Sequence, residues 1–130
     1  DFIGNINMFD AKVLGTNEQE LTIDCKALGG EIKIQNPDKT IHSSELSVAL
    51  RPEKVIIDKQ QPSDEDHYYV KGVVEDFGYF GNLSIFRVRT LSGDIIQVSK
   101  QNRMRIEDSI TWEDEVYLSW VRESLILLDN

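Results

Sequence analysis

Apolar and polar residues alternate with a period of two along short stretches of this chain, and each stretch ends in its own turn-forming residues. Successive side chains of a strand point to opposite faces, so this pattern builds half-buried sheet rather than amphipathic helix. Met8, Asp10 and Lys12 alternate loosely with Phe9, Ala11 and Val13 before Gly15 and Asn17 turn the chain. Leu21, Ile23 and Cys25 alternate with Thr22 and Asp24. Gly29-Gly30 breaks that run, and Ile32 and Ile34 then alternate with Lys33 and Gln35. Asn36-Pro37-Asp38 is a turn signal. Residues 46–50 alternate up to Pro52, and residues 55–57 form a short apolar run. Residues 69–77, 83–91, 95–98, 116–121 and 125–128 also have the makeup of strands, with Ser92-Gly93-Asp94 as a tight hairpin turn. Residues 102–114 show no alternation and are expected to form a loop, with a helical turn near Ile106 to Ile110. About ten short strands and no long amphipathic helix predict an all-β antiparallel barrel or sandwich.

A chain of 130 residues fits one domain, residues 1–130, able to bury a single core. Within it, residues 59–67 are the best linker candidate: their stretch 60–67, QQPSDEDH, is polar, acidic and carries Pro62. It separates sub-lobes 1–58 and 68–130. The longest apolar run, residues 125–128, falls far short of the roughly 20 residues a spanning helix needs. The chain opens on Asp1, with Phe2, Ile3 and Gly4 following and no basic leader, so it is expected to be a piece of a longer protein.

The net charge is −9 and the isoelectric point near 4.6. Nucleic-acid binding rests on Lys and Arg neutralising phosphates, and anionic membranes attract basic segments, so both partners are disfavoured. A cationic ligand or a basic partner face is compatible. Cys25 is the single cysteine, expected as a small core residue in a reducing compartment. His42 and His67 lie far apart with no ligand spacing around Cys25, so no metal site is expected. No G-x-x-x-x-G-K-[ST] occurs to cradle nucleotide phosphates. Glu75-Asp76 and Glu113-Asp114 are adjacent pairs, which in a strand point to opposite faces unless a bulge intervenes. No catalytic residue and no cofactor is expected in this chain.

Three motifs carry a family resemblance. The opening FIGNINMF, residues 2–9 with Phe2, Gly4 and Asn7, resembles the segment that follows the nucleotide-binding domain in spermidine/putrescine importer ATPases. Arg51-Pro52-Glu53, followed by Val55-Ile56-Ile57, is similar to an element in the regulatory domains of sugar, polyamine and iron importer ATPases. Residues 73–84 (VVEDFGYFGNLS), with Gly78 and Gly81, match a third pattern before a Ser-Gly hairpin. The C-terminal residues Trp112, 114–116, Trp120 and 125–129 are also similar to polyamine-importer C-termini. These matches run in family order along nearly the whole chain.

The resemblance implies the C-terminal regulatory (TOBE, OB-like) domain of a polyamine ABC importer's ATP-binding subunit. It implies partners as well: the parent's own ATPase domain, which would carry ATP and Mg, a twin regulatory domain in a homodimer, and the permease subunits. The location implied is cytoplasmic, peripheral at the inner membrane, without insertion. A sugar or iron importer is the alternative parent. Leu91-Ser92-Gly93-Asp94 begins like the ABC signature loop but links two strands, and Asp76-Phe77-Gly78 lacks the companions of the kinase triplet.

Beside the resemblance stand plainer expectations. Pro52 turns the chain at a strand end, with Arg51 and Glu53 as a rim ion pair contributing about 0–1 kcal/mol. Gly78 and Gly81 permit a bulge or close backbone approach. Tyr68, Tyr69, Phe77, Tyr79, Phe80 and Phe86 serve the core and a dimer face that includes Tyr79, Phe80 and Leu83. A second functional reading is polyamine sensing. Its carboxylates would be Glu75, Asp76, Asp108, Glu113, Asp114 and Glu115, with Tyr79, Trp112 or Trp120 as walls.

Overall fold

The computed structural model describes residues 6–17, 19–35, 44–63, 67–101 and 110–129. Among them the alternating stretches become strands: β1 (Asn7–Thr16), β2 (Glu20–Cys25), β3 (Gly30–Gln35), β4 (Glu45–Leu50) and β5 (Ile56–Asp58). Then follow β6 (His67–Phe80), β7 (Leu83–Thr90), β8 (Ile95–Gln101), β9 (Glu115–Val121) and β10 (Leu125–Asp129). Three 3-10 turns, Lys26–Leu28, Pro52–Lys54 and Arg122–Ser124, are the helical elements among the described residues. The turn at residues 36–38 and the helical turn expected near 106–110 fall outside the described residues, apart from buried Ile110.

The strands form two antiparallel five-stranded sheets, ordered β10-β4-β1-β2-β3 and β5-β9-β6-β7-β8. The split at residues 59–67 does not coincide with the sheets. β5 precedes it yet pairs with β9, and β10 follows it yet pairs with β4. Each half of the chain thus lends its last strand to the other's sheet.

Both sheets follow one plan. β1 to β4 are arranged as β6 to β9 are, and in both the first strand carries a bulge. Leu14 is the extra residue between Val13 and Gly15, and Glu75 the extra residue between Val74 and Asp76. Beside each bulge the same backbone bond recurs: Val13 N–H donates to Ser44 O at 2.8 Å, and Val74 N–H to Asp114 O at 3.0 Å. Leu46, Val48 and Leu50 face inward from β4 as Val116, Leu118 and Trp120 do from β9. A 3-10 turn then leads into each exchanged strand. Pro52, with its fixed φ, opens the first.

The inward faces of both sheets meet in a single cluster that runs from Ala11 and Leu21 through Val88, Ile96 and Leu118 to Leu125. Because β5 and β10 cross over, neither sheet can bury its inner face without residues from the other half.

Candidate functional site

β6 is 14 residues long, whereas β9 pairs only with its His67 to Val73 portion. The far end of β6 therefore runs past β9 as a hairpin with β7, closed at Gly81-Asn82. Gly81 has φ +68° at the first central position, as a type II′ hairpin turn requires.

This hairpin carries an aromatic group centred on Phe77. Its ring lies 4.6 Å from Trp112, 5.7 Å edge-on from Tyr79 and 5.9 Å stacked over Phe86. Phe86 roots the group in the core, while Tyr79 is 68% and Trp112 58% exposed. A side chain at Gly78 would come within 3.1 Å of the Phe80 ring. Gly78 therefore serves close approach within the hairpin, and the bulge falls at Glu75 instead.

The bulge and the turn before β9 lie together. Glu113, at φ +65°, donates its N–H to Val74 O at 2.8 Å. Thr111 N–H donates to Asp114 Oδ2 at 2.9 Å. The segments carrying Glu75, Asp76, Trp112, Glu113 and Asp114 thus meet beside the bulge in the middle of β6, where β9 begins. Several of the carboxylates have partners of their own. Glu75 pairs with Arg89, Asp114 with Lys59 at 3.3 Å, and Glu115 with Lys71 at 3.3 Å. Asp76 accepts the N–H of Phe77 at 2.9 Å. The Thr111 hydrogen bond, helped by Lys59, holds the Asp114 carboxyl below the usual carboxylate range. A polycation binding here would have to displace Lys and Arg side chains already in place.

Other expected residues lie elsewhere. Trp120 is a correction: it is fully buried, so it walls no surface site. Arg51 and Glu53 form no ion pair with each other. Pro52 is buried, and the turn is held by Lys54 N–H donating to Arg51 O at 2.9 Å. Asn7 faces the second sheet, where its Nδ2 donates to Gln97 O at 2.9 Å and its Oδ1 accepts Gln97 N–H at 2.7 Å. Phe2, Gly4 and Asp108 fall outside the described residues.

Sequence reasoning missed a groove of about 690 Å³ on the first sheet. It is lined by Asp10, Lys12, Asp24, Lys26 and Glu45, with Asp94 reaching in from the β7–β8 hairpin. Charges of both signs line it. Alternation sets Asp10, Lys12 and Asp24 apart from the apolar positions of their strands, but nothing local in the sequence brings Asp94 to them. Cys25, buried nearby, has its thiol pKa pushed up by burial, with smaller contributions from Asp94 and Asp24.

Two curled five-stranded sheets of this kind, sharing one core, define a doubled OB-like module. The chain belongs to the TOBE domain family, whose profile matches residues 48–128. It is 33% identical over 129 residues to the putrescine transport ATP-binding protein PotG of Escherichia coli (strain K12), covering 98% of this chain and 34% of that protein. It is 31% identical over 122 residues to the spermidine/putrescine import ATP-binding protein PotA of Thermotoga maritima, covering 92% of this chain and 33% of that protein. The chain therefore spans about a third of the length of these relatives. Among solved structures, the cytoplasmic molybdate-binding protein ModG, with molybdate bound, superposes with a TM-score of 0.77 at 12% identity. That match covers 95% of this chain and 96% of ModG, and at that identity it bears on the fold alone.

Proposed function

We propose that this chain is the regulatory domain of the ATP-binding subunit of a polyamine importer, with ATP hydrolysis residing in another part of the parent protein. The observation that carries the reading is the match along 98% of the chain to a putrescine transport ATP-binding protein. The named relatives favour polyamine import over the sugar or iron alternative. In this reading the parent sits at the cytosolic side of the membrane with its permease subunits, and this domain pairs with its twin.

The aromatic hairpin is the surface we assign to that pairing. Tyr79, Phe80 and Trp112 expose rings at this hairpin, with the Glu75–Arg89 ion pair on the same strands. Aromatic residues are enriched in interface cores, where charge is depleted. Sedimentation of the 130-residue chain at rising concentration tests the pairing. A dimer that Tyr79→Ser with Trp112→Ser returns to monomer supports it, and monomer at every concentration counts against it. Uptake of labelled putrescine by cells whose parent gene lacks this segment tests the transport assignment. Unchanged uptake would refute it.

A further inference from the structure

The outermost strand of each sheet is fastened to the opposite sheet by side chains, and the two fastenings are unequal. β3 ends the first sheet and β8 the second. Lys33 and Gln97 occupy the same rung of the two sheets. Gly15, Thr22 and Lys33 line up beside the first bulge as Asp76, Arg87 and Gln97 do beside the second. Asn7 and Tyr68 also correspond, since Asn7 lies opposite Leu50 and Tyr68 opposite Trp120. At Gln97 the Asn7 amide, only 7% exposed, engages both the N–H and the C=O, at 2.7 and 2.9 Å.

At Lys33 the same two backbone groups are shared between two side chains. Lys33 N–H donates to Tyr68 Oη at 3.2 Å, and Arg122 Nη1 donates to Lys33 O at 3.4 Å. Arg122 also faces Glu20 at 3.7 Å. Both bonds to Lys33 are long and solvent-exposed.

We propose that these two fastenings make β3 a latch: the Tyr68–Lys33–Arg122 clasp opens locally while Asn7 keeps β8 seated. The physical reason is what replaces each bond on opening. Water reaches Lys33 and Arg122 directly, so little is lost when they part. Opening at Gln97 strands the buried Asn7 amide and two backbone groups at a part-buried site, where each group left unpaired loses its hydrogen bond without water to replace it. The Arg122–Glu20 pair is exposed, so salt weakens it: the screening length falls from about 10 Å at 0.1 M to about 3 Å at 1 M. Released, the Lys33 N–H and C=O stand open on the outer edge of β3. An ionic latch on one edge gives the domain a conformational response that the other edge lacks.

Amide hydrogen exchange of the 130-residue chain, followed by NMR, reads both fastenings directly, because the Lys33 and Gln97 N–H groups are themselves the donors. The expected result is a protection factor at Lys33 at least about tenfold below that at Gln97. Raising salt from about 0.05 to 1 M should lower Lys33 protection several-fold further and leave Gln97 unchanged. Tyr68→Phe should lower protection at Lys33 alone, and Arg122→Gln should abolish the salt response. Equal protection at Lys33 and Gln97, or a salt response shared by both, overturns the proposal.

Discussion

The two sheets share a strand plan, a bulge position and a 3-10 exit, yet equivalent places in them hold different residues. Where the first sheet buries Leu50, the second buries Trp120; where the first has Ala11, the second has Gly72. The turn before β4 meets Val13 through Ser44, and the turn before β9 meets Val74 through Asp114. The β2–β3 connection tucks Ala27 and Leu28 into the core, whereas the β7–β8 hairpin leaves Leu91 96% exposed. The arrangement therefore depends on inward apolar positions and on where the chain crosses over, and individual residues can vary around it. The most visible difference is the aromatic hairpin of the second sheet, which has no equivalent among the described residues of the first.

Substitutions at matched positions sharpen this comparison. The largest effect is expected at Trp120, fully enclosed at the centre of the second sheet. Trp120→Ala should cost about 3–5 kcal/mol, and Leu50→Ala at the matching place about 2–5 kcal/mol. Urea unfolding would measure both. If either left the other sheet's unfolding unchanged, the shared core would be refuted.

Next comes Gly72. A Cβ there would lie 2.6 Å from Val88 Cγ1 and 2.8 Å from Arg89 O, and the backbone atom cannot step aside cheaply. Gly72→Ala is expected to destabilise by about 1–3 kcal/mol through overpacking. The reverse exchange in the first sheet, Ala11→Gly, should cost only about 0.5–1 kcal/mol. A stabilised Gly72→Ala chain in thermal melts would show that β6 and β7 approach less closely than described.

Glu113 holds a left-handed backbone conformation with a side chain that gains nothing from it. Glu113→Gly should raise stability by up to about 1 kcal/mol while leaving the Val74 bond intact. A loss of stability would mean that the carboxylate itself matters.

The smallest effects are those of pH. The Asp114 pKa is lowered in the folded chain, so its contribution is present above the ordinary carboxylate pKa and lost as pH falls through the depressed value. Acid should loosen the turn against Lys59 in the second sheet. Ser44, its counterpart in the first, has no charge to lose. The Cys25 pKa is raised, so its contribution is complete below the ordinary thiol pKa and fades as pH climbs through the elevated one. Native Cys25 should accordingly label far more slowly with a thiol reagent than the urea-unfolded chain. Amide shifts near residue 114 that ignore acid, or rapid native labelling of Cys25, would contradict these readings.

Much of the fold was legible because alternation is a local signal. Each stretch, from Met8 to Leu128, announced a strand through its own apolar positions and its own punctuation. The exchange of β5 and β10 was not legible. Ile56 and Ile126 are apolar residues of short strands either way, and their partners lie about half a chain distant. The bulge at Glu75 was also silent, since no glycine marks it, and the nearby Gly78 and Gly81 serve the hairpin instead. Of the candidate site, the clustering of Glu75, Asp76, Trp112, Glu113 and Asp114 could be guessed from composition. Their pairing with Arg89, Lys59 and the backbone could not, because ladder register decides it. Trp120 misled for the opposite reason: a large amphipathic ring reads equally well as wall or as core, and the inward rhythm of Val116, Leu118 and Trp120 was the signal that separates them.

Reciprocal strand exchange is expected to make the two sheets one cooperative unit. Hydrogen exchange of the slowest amides in β4 and β9, the strands that receive β10 and β5, tests it as urea is raised. One shared opening free energy, falling with one common urea slope, is the expected result. Two different free energies with separate slopes would mean that the sheets fold independently, and would contradict it.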